Sequence, residues 1–135
     1  MIPKFRAYVK NENKIYPVTR IDWVYEDVQM DERPYEEVRK SLFTLPIDDV
    51  VTMQSTGLFD NSMPKKEIFE NDIVEWEHKD TGQLVRGIVK YDTELGFWGM
   101  TDVRFNDLTA IGYLANQRVT VLGNIYQNKE LVEEL

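Results

Sequence analysis

The stretch QSTGLFDNSMPKKEIFENDIVEW, from Gln54 to Trp76, decides the fold of this chain. It sets turn-forming residues directly against apolar and aromatic residues, and this arrangement fixes strand register in small β-structures. The turn-forming positions are Gly57, Asp60, Asn61, Pro64, Asn71 and Asp72. We expect the stretch to open a compact barrel and to act through its backbone geometry, so that mutations in it lower stability before they affect any function.

The composition is that of an ordinary globular protein with an excess of acidic residues. Its 135 residues, 42% hydrophobic and 30% charged, fit one domain or two small subdomains that share a core. Lys and Arg total 16 against 24 Asp and Glu, and the net charge of -8 opposes binding to phosphate backbones and anionic lipids. We therefore expect neither nucleic acid nor a membrane as the partner.

The sequence contains no cysteine, which excludes disulfides, zinc-thiolate sites and cysteine nucleophiles. Its first residues lack the apolar core of a signal peptide, and no apolar run approaches the roughly 20 residues that a membrane span requires. We expect a cytoplasmic protein.

Upstream of the deciding stretch, the sequence predicts a β-hairpin followed by an acidic loop. Residues 5–10 alternate between apolar and polar, and after a turn at 11–14 the residues from Ile15 to Val28 favour strands. Pro17 cannot donate a ladder hydrogen bond, so it places its strand at an edge or a bulge. Residues 26–37 carry six acidic side chains against one basic side chain, which predicts a solvated surface loop.

Residues 34–45 leave two structures open. Pro34 suits the first position of a short helix that would run to Leu42. The spacing of Val38, Lys40 and Leu42 also fits the alternation of a strand. A turn around Pro46 then leads into a strand that enters the deciding stretch.

Downstream of Trp76, turn signals at regular spacing predict a meander of three short strands. The strands are predicted at residues 73–77, 84–91 and 97–101. Gly87 lies inside the middle strand, where it predicts a bulge or a sharp bend of the kind that closes small barrels.

The last part of the chain carries weaker signals. Residues 107–117 are ambiguous, because their apolar spacing suits a helical turn while Gly112 weakens it. Val119 to Tyr126 predicts a final strand with a bulge or tight bend at Gly123, and Asn128 can cap a short C-terminal helix.

Four blocks of residues, in order along the chain, match a known pattern. The blocks are Lys4–Ala7, then Met53, Gln54, Thr56, Gly57, Leu58 and Asp60, then Lys66–Val74, then Gly123–Tyr126 with Asn128 and Leu131. In these blocks the chain resembles the YopX family, small proteins encoded by phages and prophages of Gram-positive bacteria. The family usually has Gly at position 71, and Asn preserves the backbone there because it tolerates the left-handed conformation. The loop Asn61–Lys65 is longer than the family's short turn, so we expect its tip to differ in shape.

The resemblance implies a small SH3-like β-barrel with an added N-terminal β-region, and it brings no characterised activity. We therefore predict a mainly β protein. Residues 1–52 would form the N-terminal β-region with its acidic loop. Residues 53–135 would form the SH3-like barrel with a short C-terminal helix, and both parts would make one compact unit.

His78 is the only histidine in the sequence, and it lies near Glu75, Glu77 and Asp80. In a strand, Glu75 and Glu77 share one face while His78 points to the other, so these side chains do not converge on a metal ion. We therefore expect neither a metal site nor a bound cofactor.

Candidate nucleophiles also lack partners. Ser41, Ser55 and Ser62 have only that one histidine as a base, and none lies in a nucleophile-elbow pattern. We expect no catalytic residues and no enzymatic activity.

Three hypotheses for function remain, and the first is a non-catalytic interaction module that binds a host or phage protein. The second is single-stranded nucleic-acid binding through an aromatic-basic face, in which Trp98 is flanked by Arg86, Lys90 and Arg104. The third is a DNA mimic that uses the acidic segment 26–37, including Glu36 and Glu37. Unpaired strand edges also make a homo-oligomer a candidate assembly. Structural roles are expected for Gly57, Asp60, Asn71, Asp72 and Gly123.

Overall fold

The computed structural model describes residues 4–35, 41–78, 80–104, 108–110 and 118–133. The chain divides into two compact units, unit 1 over Met1–Ser55 and unit 2 over Thr56–Leu135. The described residues form mainly β structure, as the sequence predicts. Among these residues no helix has both the length and the apolar character needed to span a membrane.

Unit 1 is an antiparallel sheet with the strand order β4-β3-β2-β1-β5. The strands are β1 (Phe5–Val9), β2 (Lys14–Asp22), β3 (Asp27–Asp31), β4 (Leu42–Pro46) and β5 (Val50–Phe59). Its core consists of apolar side chains that strand alternation places on one face, namely Ala7, Val9, Tyr16, Val28, Met30 and Val50. Strand β5 continues beyond Ser55 into unit 2, where β6 (Glu67–Phe69) lies beside it.

Pro17 lies in β2, where it faces Arg6 of β1. The pairing of β2 with β3 begins only at Val18, and the register shifts between Val18 and Arg20. Pro17 therefore has no N–H at a position where β2 does not pair with β3, next to a bulge, as the sequence predicts.

Two expectations for unit 1 are wrong. The predicted single strand Ile15–Val28 is broken after Asp22 by a turn over residues 23–26. The predicted surface loop contains a strand instead, because Val28 and Met30 of β3 are fully buried. The segment has many acidic residues, but Val28 and Met30 alternate with polar residues, and this short alternation is sufficient to form a strand against the core.

The ambiguous segment 34–45 is described only in part, since residues 36–40 lie outside the described ranges. Leu42 begins strand β4, so the structure has a strand at the position where the helix alternative placed the end of its helix. A short 3₁₀ helix over Ile47–Asp49 then leads into β5.

Unit 2 contains the predicted meander, extended by one strand on each side. Its antiparallel order is β10-β9-β8-β7-β11. The elements are β7 (Asp72–Glu77), β8 (Leu84–Asp92), β9 (Phe97–Asp102), β10 (Leu108–Ala110), β11 (Val119–Asn124) and a helix, α1 (Glu130–Glu133). The core is formed by buried side chains from β6 to β11, namely Ile68, Val74, Trp76, Val89, Met100, Val119 and Val121.

The predicted barrel is not found as a closed structure among the described strands. The order of the five strands ends at β10 on one side and at β11 on the other. On its far side from β7, strand β11 exchanges hydrogen bonds with the turn after β5. Val121 N–H donates to Asp60 Oδ2, and Asn61 N–H donates to the carbonyl of Val119. The turn therefore satisfies backbone groups at this edge of β11, where a closing strand would otherwise pair. The SH3-like assignment stays a prediction.

Gly87 does not form the predicted bulge, because it pairs in regular register with Val74 and with Asp102. A Cβ atom at this position would lie 2.9 Å from the ring of Trp76 and 2.9 Å from the carbonyl oxygen of Thr101. The strand contains glycine because the indole of Trp76 packs directly on its backbone.

The end of the chain agrees in part with the sequence. Residues 108–110 form strand β10, and residues 111–117 lie outside the described ranges. The predicted final strand has its register shift between Val121 and Gly123. The predicted C-terminal helix is present as α1. The side-chain oxygen of Asn128 accepts a hydrogen bond from Asn124 N–H (3.1 Å), so Asn128 ties the end of β11 to the start of this helix.

Candidate functional site

The turn between β2 and β3 exposes three consecutive large side chains. Trp23, Val24 and Tyr25 are 73%, 86% and 79% exposed. Single exposed apolar residues are common on protein surfaces, but adjacent ones that include Trp and Tyr form a contiguous apolar surface. We call residues Trp23–Tyr25 the apolar tip.

The backbone of the apolar tip is held by the residues on either side of it. The side chain of Asp22 accepts hydrogen bonds from the N–H groups of Val24 (2.9 Å) and Tyr25 (3.0 Å). Glu26 closes the turn in the left-handed conformation (φ 54°), and its carbonyl accepts a hydrogen bond from Ile47 N–H (2.8 Å). The tip is therefore a fixed turn with its side chains directed outward.

Acidic residues surround the apolar tip. Asp22, Glu26 and Asp27 flank it in the hairpin, and the hydrogen bond from Ile47 to Glu26 brings the 3₁₀ helix with Asp48 and Asp49 alongside. Lys10 supplies positive charge in this region, and its amino group donates to the carbonyl of Asp48 (2.8 Å). The apolar tip thus lies within a mainly negative rim.

Sequence reasoning missed the apolar tip because Trp, Val and Tyr are all strand-favouring residues. The signal that could have located it is Asp22, since an Asp at the end of a strand can accept hydrogen bonds from the backbone two and three residues later. The acidic pair Glu26-Asp27 after the apolar residues marks the far side of the same turn.

The structure does not gather the predicted aromatic-basic face into one surface. Trp98 packs against the core cluster of unit 2, and its ring meets the edge of Tyr91 with centroids 5.2 Å apart. Val85 and Val89 of β8 point toward the same core, so alternation places Arg86 and Lys90 on the opposite face of the sheet.

The basic residues of that predicted face also differ in their contacts and in their exposure. Arg86 forms an ion pair with Glu75 across the strands (Nε to Oε2, 3.2 Å), and its Nη1 donates to the carbonyl of Leu131 (3.0 Å). Lys90 and Arg104 are exposed. Arg86 therefore links the sheet of unit 2 to helix α1, which is a structural contact.

Asp60 accepts four hydrogen bonds through its buried side chain. It is 1% exposed, and its Oδ1 accepts from Ser62 N–H (3.1 Å), Ser62 Oγ (2.6 Å) and Lys66 N–H (2.7 Å). Its Oδ2 accepts from Val121 N–H (2.9 Å). Burial tends to raise the pKa of this carboxyl, but the hydrogen bonds from Ser62, Val121 and Lys66 outweigh burial and leave the pKa below its ordinary value.

The turn between β6 and β7 depends on Asn71 and Asp72. Asn71 has the left-handed conformation that the exchange for Gly predicts (φ 68°), and its N–H donates to the carbonyl of Val89. Asp72 is buried, and its Oδ2 accepts from Phe69 N–H (2.8 Å). Both side chains shape the turn in which they lie.

The two predicted glycines occupy special backbone positions. Gly57 in β5 has a positive φ of 78°. The adjacent Thr56 hydroxyl bridges the local backbone, since it donates to the carbonyl of Ile68 (2.8 Å) and accepts from Leu58 N–H (3.1 Å). Gly123 lies directly under the side chain of Asn128, where a Cβ atom would overlap. Close contact and backbone conformation account for glycine at these positions.

The described residues contain no group of three or more His, Asp or Glu side chains placed to hold a metal ion. His78 Nδ1 accepts a hydrogen bond from Asp80 N–H (3.3 Å), and Glu75 is paired with Arg86. Glu36 and Glu37, on which the DNA-mimic hypothesis depends, lie outside the described ranges.

Comparison with known families shows the family of this chain. A family model described as YopX protein matches residues 4–133. The chain belongs to the YopX family. No curated protein matches it.

Two solved structures share the YopX-family fold of this chain. The crystal structure of protein EF1440 from Enterococcus faecalis matches with a TM-score of 0.62 and 26% sequence identity, over 98% of this chain and 99% of that chain. The crystal structure of protein yopX from Bacillus subtilis matches with a TM-score of 0.62 and 19% identity, over 95% of this chain and 96% of that chain. Neither name describes an activity, so these comparisons show the family and the fold.

Proposed function

We propose that this YopX-family chain is a non-catalytic interaction module that binds a host or phage protein in the cytoplasm of the host cell. The single observation that carries the proposal is the apolar tip, in which Trp23, Val24 and Tyr25 are all more than 70% exposed. Trp and Tyr are the residue types most enriched among the side chains that dominate binding energy at protein interfaces.

The physical properties of the apolar tip suit insertion into a partner's pocket. Aromatic side chains of this size bury on the order of 150–250 Å² each when a partner covers them. The hydrogen bonds to Asp22 already hold the turn, so binding requires little further ordering of the backbone. A fixed apolar turn therefore loses less conformational entropy on binding than a flexible loop, and it binds more tightly for the same buried area.

The charges around the apolar tip favour one kind of partner. Asp22, Glu26 and Asp27 flank the tip, so a complementary pocket would be apolar at its base and basic at its rim. The same charges oppose insertion into an anionic lipid surface. We therefore infer a protein partner with an apolar pocket surrounded by Lys or Arg.

The experiment compares capture by the wild-type protein and by Trp23→Ala from phage-infected cells, followed by affinity measurement with the purified partner. We expect Trp23→Ala to weaken binding at least about 30-fold, the loss typical of a dominant interface residue. Leu95→Ala is the matched control, because Leu95 is an exposed apolar residue on a turn with the same Asp-capped geometry.

Two outcomes would contradict the proposal. The captured partner could bind Trp23→Ala and wild type equally, which would place the interface elsewhere. Alternatively, the wild-type protein could bind zwitterionic lipid vesicles through the apolar tip and capture no protein that distinguishes Trp23→Ala from Leu95→Ala.

A further inference from the structure

A cleft of about 510 Å³ lies at the end of the β2–β3 hairpin opposite the apolar tip. Its walls come from β2 and from the segment that follows β3. The lining residues that matter for recognition are Tyr16, Pro17, Glu32, Arg33, Pro34 and Tyr35. We call it the tyrosine-proline cleft. Its volume falls within the range of pockets that bind small molecules.

The wall formed by β2 is held before any ligand arrives. The ring of Tyr16 packs edge-on against Phe43 with centroids 4.9 Å apart, and its hydroxyl donates to Glu12 Oε2 (2.6 Å). The next residue, Pro17, has a fixed φ and no N–H, so it presents a ring and a carbonyl rather than a donor.

The opposite wall is more open. Tyr35 is 97% exposed, and its ring is therefore available to lie against a ligand. Pro34 fixes the backbone just before it. The cleft thus has a fixed tyrosine on one wall and an accessible tyrosine on the other. Aromatic-lined grooves accept extended proline-containing chains.

The mouth of the cleft next to Tyr16 is negatively charged. The carboxylate of Glu32 is oriented by a hydrogen bond from Ser41 Oγ (3.1 Å). The pKa of Tyr16 is raised to about 12, first by its hydrogen bond to Glu12, then by burial, and further by the charges of Glu12 and Glu32. Arg33 adds one positive charge to the lining.

We propose that the tyrosine-proline cleft binds an extended peptide segment in which proline residues lie near a basic side chain. The proline rings would pack against the exposed ring of Tyr35 and against Pro17, with the buried ring of Tyr16 behind Pro17, as polyproline segments pack in aromatic-lined grooves. The basic side chain would reach Glu32, where a carboxylate is already oriented. This inference goes beyond the proposed function, since it concerns a different surface and does not depend on the apolar tip.

The test is titration calorimetry of the full chain with synthetic peptides that contain a Pro-X-X-Pro core and one arginine at varied spacing. We expect saturable binding of at least one such peptide. Replacing the peptide's arginine by glutamate should weaken that binding at least about 10-fold, and so should replacing its prolines by alanine. One lost charge-assisted hydrogen bond corresponds to about this factor.

Variants of the protein locate the binding surface. Glu32→Gln should weaken the arginine peptide about 10-fold and leave the peptide without arginine unchanged. Tyr35→Ala should weaken both peptides. Tyr25→Ala is the matched control, because it removes an exposed tyrosine from the same unit outside the cleft, and it should change neither affinity. Circular dichroism spectra would verify that each variant is folded.

Three results would overturn the proposal: no peptide of any spacing binds saturably, Tyr25→Ala weakens binding as much as Tyr35→Ala, or the alanine-for-proline peptide binds as well as the proline peptide. A loss of protein capture in Trp23→Ala that leaves peptide binding intact would separate the apolar tip from the cleft. Failure of either proposal can therefore be told from failure of the other.

Discussion

Asp60→Asn is expected to destabilise the fold strongly while changing only a few atoms. The carboxylate is buried, and it accepts four hydrogen bonds from Ser62, Lys66 and Val121. These residues come from the turn after β5, from the segment before β6 and from the edge of β11. Asparagine has nearly the same shape, but it places an amide NH₂ group where one carboxylate oxygen accepts hydrogen bonds. At least one backbone N–H would then face another donor in a buried site.

The magnitude follows from the bonds that asparagine cannot replace. Hydrogen bonds to a charged group contribute about 1.5–3 kcal/mol each, and an unsatisfied buried donor costs on the order of 1–3 kcal/mol. Asparagine keeps one acceptor oxygen, so we expect a loss of about 3 kcal/mol in the free energy of unfolding. For a chain of this length that loss lowers the melting temperature by roughly 12 °C.

The assay is thermal and urea unfolding followed by circular dichroism, with Asp80→Asn as the matched control. Asp80 is an exposed carboxylate in the same unit, so its replacement should shift the melting temperature by no more than a degree or two, on the order of the small effects of surface substitutions. A melting temperature for Asp60→Asn within about 2 °C of wild type would refute the reasoning, because the hydrogen bonds could not then stabilise the fold.

The pH dependence gives a second, independent check on Asp60. Its folded pKa lies below the unfolded value of about 3.9, so its contribution to stability is present above about pH 4 and is lost as pH falls through the folded pKa. The stability difference between wild type and Asp60→Asn should therefore shrink below about pH 4. A difference that stays constant down to pH 2 would show that the carboxylate charge is not responsible.

Three further variants test single features of the fold by urea unfolding. Gly87→Ala should lower the unfolding free energy by about 2 kcal/mol or more, because its Cβ atom would lie against the ring of Trp76 and a backbone carbonyl; unchanged stability would show that the ring moves freely. Glu26→Gly should raise stability by about 0.5–1 kcal/mol, because glycine adopts the left-handed conformation without strain; a loss would mean that the Glu26 side chain makes a stabilising contact. Tyr16→Phe should be less stable than wild type below pH 10. The difference should disappear between pH 10 and 12, because the raised pKa of Tyr16 makes the contribution of its hydroxyl to folding stability fall over that range. Equal pH profiles for the two proteins would exclude the hydrogen bond to Glu12 as the source of that stability.

The sequence predicts the meander of unit 2 well, because each of its turns contains residues with a defined backbone preference. Gly82 and Gly96 both take positive φ angles at the predicted turns, and the strands between them alternate clearly. Turn residues do not predict whether the barrel closes, since closure depends on which groups satisfy the edge of β11. Asp60 and Asn61 satisfy it here through contacts 61 and 58 residues apart in sequence, respectively.

The errors in unit 1 have a common physical origin. The net charge and the strand preference of a segment are averages over its residues, whereas burial differs from one residue to the next. Val28 and Met30 are buried in a strand that begins and ends with an aspartate, while Trp23 and Tyr25 are exposed although their types favour strands. At the turn, the side chain of Asp22 ends strand β2 by accepting hydrogen bonds from Val24 and Tyr25. In β3, the alternation of the strand places Val28 and Met30 in the core.

A second turn of the chain can be compared directly with the turn that carries the apolar tip. The turn between β8 and β9 has the same construction, since Asp92 accepts hydrogen bonds from the N–H groups of Glu94 and Leu95 and the closing residue has a positive φ. That turn forms with Thr93-Glu94-Leu95 at its tip and with glycine at the closing position.

The geometry of the turn therefore does not require Trp23-Val24-Tyr25, nor does it require glutamate at position 26. Folding alone is satisfied by largely polar residues and a glycine, as the β8–β9 turn demonstrates within the same molecule. Three large exposed side chains add nothing to the hydrogen bonds of their turn, and apolar surface left in water contributes nothing to stability. If a chimera that carries Thr-Glu-Leu-Gly at residues 23–26 folds at least as stably as wild type and loses its protein partner, the apolar tip acts in binding. If it instead unfolds, the tip is part of the fold, and the interaction surface must be sought elsewhere.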